Sequence, residues 1–237
     1  MTREQVRSYL EYYRDLGFDS IYRPKIDLAV QATTEERAPV LPTLGPVSDT
    51  LESIRADIGE CKRCRLCEGR QNIVFGSGNA QARIVFVGEG PGADEDEQGL
   101  PFVGRAGQLL TQMIDNTAAK EGIPIHRGDV YICNVVKCRP PENRTPLPDE
   151  MEICGQFLFR QLVVIQPKAI CVLGATAMKA LLNPKEGITK MRGKWHKWRD
   201  IPVMITYHPS YLLRQYNQQA RREAWEDLKK LFHFVYD

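Results

Sequence analysis

Residues 83–104 read Arg83-Ile-Val-Phe-Val-Gly-Glu-Gly-Pro-Gly-Ala-Asp-Glu-Asp-Glu-Gln-Gly-Leu-Pro-Phe-Val-Gly104. The opening Arg83-Ile-Val-Phe-Val is a short apolar run rich in β-formers, and the glycines and proline after it end the strand. From this point onward strands and helices alternate. Gly104 to Ala118 has helical periodicity, and Asp129-Val-Tyr-Ile-Cys-Asn134 is a second strand. Asp149 to Val164 is a helix, Ala169-Ile-Cys-Val-Leu173 a third strand and Ala175 to Leu182 a short helix. Ile201-Pro-Val-Met-Ile-Thr-Tyr207 is a fourth strand, and Gln218 to Phe234 a closing helix. Such alternation predicts an α/β fold of three layers, α/β/α, around a central four-stranded, mainly parallel sheet. Ligands of such sheets bind at the C-terminal ends of the strands.

Upstream of residue 83 the pattern differs. Residues 3–16 place Val6, Leu10, Tyr13 and Leu16 at helical spacing. Residues 22–48 contain Pro24, Pro39, Pro42 and Pro46 with little periodicity, the composition of a linker. Residues 1–48 therefore form an N-terminal appendage and 49–237 the main domain. Asp49 or Ser48 is positioned to cap a short helix running toward Gly59.

A chain of 237 residues, 43% hydrophobic and 26% charged, excludes a disordered or collagen-like protein and needs no disulfide framework. The longest apolar run, Ala169 to Met178, is too short to span a bilayer. The polar N-terminus lacks the apolar core of a signal peptide, so a cytoplasmic location is expected. The net charge of +2 hides an asymmetry. Residues 1–60 carry 7 basic and 11 acidic side chains, and residues 61–237 carry 25 and 19. A basic main body suits a polyanionic partner, but an ordinary solvated surface explains so small a surplus equally well.

Three strand ends carry unusual residues: Gly88-Glu89-Gly90-Pro91-Gly92 with Phe102 downstream, Asn134, and His208-Pro-Ser-Tyr-Leu-Leu-Arg214. A parallel sheet brings all three to one edge. A carboxylate, an aromatic ring, a carboxamide and an imidazole in one cleft make a candidate site. Each has a plainer reading: a core histidine, a core phenylalanine, a turn asparagine. Gly88-x-Gly90-x-x-Ala93 also matches a relaxed dinucleotide fingerprint with Asp115 downstream. Asp115 falls in a helical stretch, however, and the acidic run Asp94–Glu97 would repel a pyrophosphate. That run otherwise reads as a solvated loop.

Seven cysteines in a reducing compartment are not a disulfide scaffold. Cys171 and Cys133 sit in apolar runs and read as small core residues. Cys61 and Cys64 form a C-x2-C pair, while Cys138 lies in the basic segment Lys137-Cys-Arg139 and Cys154 sixteen positions on. Four thiolates suffice for tetrahedral zinc or an iron–sulfur cluster, and the spacing alone does not choose between them. Cys67 is an alternative member of the set. Trp195 and Trp198 read as a strand-like hairpin packed on the core.

Together, four ordered segments resemble the iron–sulfur uracil-DNA glycosylases, often called family 4. They are Cys61-x-x-Cys64, Gly88-Glu-Gly-Pro-Gly through Pro101-Phe-Val-Gly104, Asn134-Val-Val-Lys-Cys-Arg-Pro-Pro141 and His208 through Arg214. The match runs from about Cys61 to the end of the chain and leaves residues 1–60 outside it. The resemblance implies a monofunctional glycosylase of base excision repair. It would flip uracil out of single- or double-stranded DNA and hydrolyse the N-glycosidic bond to leave an abasic site. It implies a structural [4Fe–4S] cluster on Cys61, Cys64, Cys138 and Cys154. Glu89 would orient or deprotonate the attacking water, and His208 would donate to uracil O2 as charge grows there. Phe102 would stack on the base, Asn134 would read its edge, and the loop of Gly88, Gly90, Pro91 and Gly92 would bind O2 or O4. Glu95 would block the thymine methyl. Leu212 would be the wedge that holds the gap open, helped by Tyr211 or Leu213. Ser210 and Arg214 would complete the DNA contacts, with Arg214 on phosphates. The expected working form is a monomer with no membrane association.

Two alternatives compete. One is a relative in the same superfamily that traps uracil-DNA covalently through a histidine in an inserted basic loop; Arg139-Pro-Pro-Glu-Asn-Arg-Thr-Pro146 has no histidine. The other is a non-catalytic iron–sulfur DNA-binding sensor of damage or redox state, which would not need Glu89, Asn134 and His208 together.

Overall fold

The computed structural model describes residues 49–214 and 217–237. The helix expected at 3–16 and the proline-rich stretch 22–48 lie outside them. Residues Asp49–Asp237 form one compact unit. Six strands make one sheet: β1 (Ser77–Gly78), β2 (Ile84–Gly88), β3 (Tyr131–Asn134), β4 (Ala169–Leu173), β5 (Trp195–Trp198) and β6 (Ile201–Thr206). Their order is β1-β3-β2-β4-β6-β5. The inner four are parallel, as the alternating pattern predicts. The two edges are antiparallel additions. At one edge β1 is only two residues long, and at the other the tryptophan hairpin folds β5 back onto β6.

The described helices are α1 (Leu51–Ile58), α2 (Ala93–Gln98), α3 (Arg105–Lys120), α4 (Pro148–Ile165), α5 (Ala175–Leu182), α6 (Ile188–Met191), α7 (Pro209–Leu212) and α8 (Gln218–Tyr236). Alternate side chains of each strand point to opposite faces. On one face Ile84, Phe86, Ile132, Cys171 and Met204 pack against Leu110 and Ile114 of α3 and Leu228, Leu231 and Phe232 of α8. On the other, Tyr131 reaches Gln161 of α4, and α5 packs against β2 and β4. Strands β2 and β4 are buried along their whole length, so their near-continuous apolar sequences suit a sheet covered on both sides. Each large side chain fully buried there contributes about 1.5–3 kcal/mol.

Two local expectations change. The cap of α1 is Thr50 rather than Asp49 or Ser48: its Oγ1 accepts from Ser53 N–H at 3.1 Å, and Ser53 Oγ accepts from Thr50 N–H at 2.9 Å. Asp49 is committed instead to Arg160, which docks α1 on α4. The acidic run 94–97 is the helix α2 rather than a solvated loop. Its acids lie at the helix's positive end, and Asp96 is buried, accepting from the backbone N–H groups of Gln71 and Asn72.

Chain order places the site. From β2 the chain passes through α3 to β3 on one side, and from β3 through α4 to β4 on the other side of β2. The crevice at that reversal is where doubly wound sheets bind ligands.

Candidate active site

The register of β2 and β3 pairs Gly88 with Asn134, and the ladder continues past the strand ends, from Val135 N–H to Gly88 O at 2.9 Å and from Val136 N–H to Glu89 O at 3.2 Å. Residues far apart in sequence therefore stand side by side. A Cβ on Gly88 would lie 2.5 Å from Asn134 Oδ1 and 2.5 Å from Phe102 Cζ. Only a residue without a side chain lets the carboxamide and the ring close on one floor.

Asn134 is 1% exposed, and neither its Nδ2 nor its Oδ1 has a hydrogen-bond partner among the described residues. Leaving such groups unmatched costs about 1–3 kcal/mol each. The amide opens onto a cleft of about 310 Å³, lined also by Glu89, Gly90, Pro91, Gly92, Glu95, Phe102 and His208. That volume is at the small end for ligand sites and suits one planar base.

Phe102 is held in a left-handed conformation, φ 54°. Strain of this kind costs about 1–3 kcal/mol and persists only when neighbours enforce it. Glu95 enforces it: Oε1 accepts from Val103 N–H and Gly104 N–H, both at 2.9 Å, and Oε2 accepts from Gly92 N–H at 3.0 Å. Arg127 adds a hydrogen bond to Pro101 O at 2.8 Å. Glu95 thus lines the cleft, but both its oxygens are occupied in tying the glycine loop to the Phe102 turn. Asp115 accepts from Arg127 N–H at 2.9 Å and is a structural residue of this region.

His208 follows β6, its ring centroid 5.6 Å from that of Phe102 and tilted by 37°. Its Nδ1 accepts from Ser210 N–H at 3.2 Å and lies 2.7 Å from Ser210 Oγ. With Nδ1 accepting, the proton of the neutral ring is assigned to Nε2. Burial pushes the imidazole pKa down to about 4, so the ring is neutral at pH 7. The carboxylate of Glu89 makes no hydrogen bond or ion pair among the described residues and faces the same cleft.

The segment after His208 departs from its expected use. Ser210 and Arg214 are exposed, and Arg214 lies over the Tyr211 ring at 5.8 Å. Tyr211 is 41% exposed, but Leu212 is only 1% exposed. The single helical turn of α7 directs Leu212 inward, against Leu109, Met113, Tyr207, Ala220 and Ala224. Leu212 is therefore a core residue rather than a wedge, and the outward-facing positions are Tyr211 and the half-buried Leu213.

Four further lining residues escaped sequence reading: Ala106, Pro140, Asn143 and Arg144. The last three lie on the loop between Cys138 and α4. Arg144 forms a bidentate pair with buried Glu150 at 2.7 and 2.8 Å, which holds the Glu150 carboxyl below the usual range. Glu142 and Asn143 are both left-handed, φ 54° and 55°. Beneath the site lies Lys137, fully buried, donating to Asn134 O at 2.8 Å and Gln161 Oε1 at 2.6 Å. Burial lowers its pKa. Gln161 in turn donates to Phe75 O at 3.0 Å and Tyr131 Oη at 3.3 Å.

Behind that loop, Cys61, Cys64, Cys67, Cys138 and Cys154 line one cavity, walled by Ile58, Ile73, Ile153 and Phe157. Arg70 Nη1 donates to Cys138 Sγ at 3.5 Å, and Lys137 N–H donates to Cys154 Sγ at 3.2 Å. Burial pushes the thiol of Cys138 up to about 11 and that of Cys154 to about 12. Among the described residues no three His, Cys, Asp or Glu side chains converge as a single ion would need. Thiols around one cavity, with N–H donors aimed at sulfur, are a donor set suited to zinc or to an iron–sulfur centre. Cys133 and Cys171 are buried core residues, as their sequence context indicates.

Comparison with known proteins gives the family. The family model "Uracil DNA glycosylase superfamily" matches residues 75–229. A type-4 uracil-DNA glycosylase of Thermotoga maritima is 47% identical over 79% of this chain and 95% of the relative. Type-4 enzymes of Sulfurisphaera tokodaii and Archaeoglobus fulgidus are 45% and 43% identical, each over 77% of this chain and over 84% and 92% of their own lengths. The chain belongs to the type-4 uracil-DNA glycosylases of the uracil-DNA glycosylase superfamily.

Proposed function

We propose that the protein is a monofunctional uracil-DNA glycosylase of base excision repair. The observation that carries this is the buried, unpartnered carboxamide of Asn134 facing a base-sized cleft beside Phe102 and His208. The relatives from Thermotoga maritima and Sulfurisphaera tokodaii are named as uracil-DNA glycosylases.

The extruded base stacks on Phe102, which any base would accept. Asn134 discriminates: Oδ1 accepts from uracil N3–H and Nδ2 donates to O4. Cytosine reverses both polarities, so both buried groups stay unpaired, a penalty of about 2–6 kcal/mol, or roughly 30-fold to 10⁴-fold in rate. Gly90 and Gly92, with Pro91 between them, form the wall beside the base; Gly90 offers its backbone N–H there, while that of Gly92 is held by Glu95. Glu95 acts by ordering that wall and the Phe102 turn.

In the chemical step the C1′–N1 bond breaks and its electron pair goes to uracil, leaving oxocarbenium character on the sugar. His208 Nε2–H donates to O2 as the uracil anion forms. Glu89 accepts a proton from the water that attacks C1′ and stabilises the cationic sugar. The water's remaining oxygen becomes the hydroxyl of the abasic site. Tyr211 and Leu213 hold the vacated gap, with Ser210 and Arg214 at the backbone.

The thiol cavity fits a [4Fe–4S] cluster on Cys61, Cys64, Cys138 and Cys154, with Cys67 as its neighbour. When bound, such a cluster supplies a structural tie rather than chemistry at the base. Cys138 and Cys154 bracket the loop that brings Pro140, Asn143 and Arg144 to the cleft. That loop carries no histidine, which favours turnover over covalent trapping.

The test is cleavage of a labelled single-uracil oligonucleotide after alkali treatment, beside thymine and cytosine controls and the variants Glu89→Ala, His208→Ala and Asn134→Ala. Cleavage confined to uracil and weakened in all three variants is expected. No cleavage by protein carrying its iron would leave the sensor reading in its place, and a denaturation-resistant adduct would establish trapping.

A further inference from the structure

We propose that a groove between α3 and α8, separate from the pocket, holds the DNA strand that runs away from the flipped uracil. The proposal rests on the uracil-DNA reading above and adds a surface to it. Helix α3 leaves the pocket at Ala106 and turns Arg105, Gln108, Gln112, Asn116 and Lys120 outward, all of them exposed. Spacings of three and four residues stack these side chains in one row. The row forms one wall of the groove, and Arg221 and Trp225 of α8 form the other.

Among the described residues no carboxylate lines this groove. Of the acids on the same two helices none lines the groove, and all but the exposed Glu226 are engaged. Asp115 accepts from Arg127 N–H, Glu121 from His233 and Lys229, and Glu223 from Tyr207. A surface offering only guanidinium, ammonium and carboxamide groups complements phosphates without reading bases. The groove is also continuous with the strand-end segment. Leu212 and Leu213 close its near end, and Arg221 Nε donates to Leu212 O at 2.8 Å. Trp225 has Lys120 Nζ and Lys229 Nζ each 5.5 Å from a ring centroid, with a buried indole N–H that has no partner among the described residues. From Arg105 to Lys120 the helix rises about 22 Å, at about 1.5 Å per residue. That row is long enough to meet several successive phosphates of one strand.

The experiment uses the full chain carrying its iron. Two mirror-image oligonucleotides carry 2′-fluorodeoxyuridine, whose fluorine resists cleavage by destabilising the oxocarbenium ion. One has about eight nucleotides on the 5′ side and about two on the 3′ side, and the other the reverse. Binding is measured against salt concentration, and cleavage of the unfluorinated pair is measured alongside. Wild-type protein should bind one of the pair more tightly and with a steeper salt dependence. Arg105→Gln/Lys120→Gln should abolish that difference, reduce the log–log slope by about 1.4 on single strands and weaken binding on the order of tenfold per contact near 0.1 M salt. Gln112→Lys, a gain of one contact, should steepen the slope by about 0.7. Equal binding of the mirror pair, or slopes unmoved in both variants, overturns the groove. Failure of the wild type to cleave either unfluorinated strand overturns the uracil-DNA reading instead, which keeps the two failures distinct.

Discussion

Replacing Glu95 by glutamine changes one atom and should disable the Phe102 turn. The carboxylate accepts three backbone N–H bonds, from Gly92, Val103 and Gly104 at 3.0, 2.9 and 2.9 Å. Glutamine can keep its carbonyl toward Val103 and Gly104, but its NH2 then meets the Gly92 N–H donor to donor. One charge-assisted bond of about 1.5–3 kcal/mol is lost, and the other two fall to neutral strength, losing roughly 1 kcal/mol each. Allowing for partial solvent access, the net cost is about 2–4 kcal/mol. A domain of this size loses roughly 2–4 °C of Tm per kcal/mol, so a drop of roughly 5–15 °C is expected in calorimetry. The left-handed strain at Phe102 is released at the same time, and the ring leaves its stacking position. Single-turnover cleavage of uracil should then fall about 10- to 100-fold, the worth of roughly 1–3 kcal/mol of base stacking. Thymine should stay uncleaved. A Tm within about a degree of wild type with an unchanged rate would refute the clamp. New cleavage at thymine would show that the carboxylate acts chiefly against the methyl group.

His208 carries a pH signature. Its folded pKa is held near 4 by burial, against about 6.5 in an open chain. Between those values the unfolded chain takes up a proton that the folded one refuses, so this contribution is intact above about pH 6.5 and is lost as pH falls toward 4. It amounts to about 3 kcal/mol across the window. Urea unfolding should therefore show wild type losing stability relative to His208→Gln as pH falls from about 6.5 toward 4, and parallel pH profiles would contradict the assignment. Lys137→Met leaves Asn134 O and Gln161 Oε1 without their donor, at a cost of about 2–4 kcal/mol. A lower urea midpoint and a smaller uracil-over-cytosine preference are expected, measured on the same preparation. Cys138→Ala should lose iron and free the loop at 139–147, read as early proteolysis within that stretch. An iron-free variant with the loop still protected would count against the tie.

The parallel core was legible because β2 and β4 are buried on both faces and so read as unbroken apolar runs between helical segments. The convergence of Glu89, Asn134 and His208 followed from topology, since parallel strands end on one edge. Less was visible where a residue's duty depends on a distant partner. Glu95 and Asp96 look like surface acids until the amides of Val103, Gly104, Gln71 and Asn72 are brought to them. Leu212 sits in an exposed-looking segment, yet α3 and α8 offer it a pocket that no local pattern announces. Asn143 and Arg144 lie in an ordinary proline-rich loop, and only its anchorage at both ends carries them to the cleft. Lys137 beside Cys138 reads as a basic surface residue, whereas its ammonium is buried on backbone and amide oxygens.

The site is divided along the chain at a convenient place. Glu89, Phe102 and Asn134 precede the exposed turn at 183–187 after α5, whereas His208 and the whole of β6 follow it. The two parts meet through the β4–β6 ladder. A chain severed in that turn would yield two fragments, each silent alone, whose reassociation restores every group the reaction needs. Base release would then report fragment complementation, and with it the docking of β6 onto β4, as an enzymatic signal amplified by turnover.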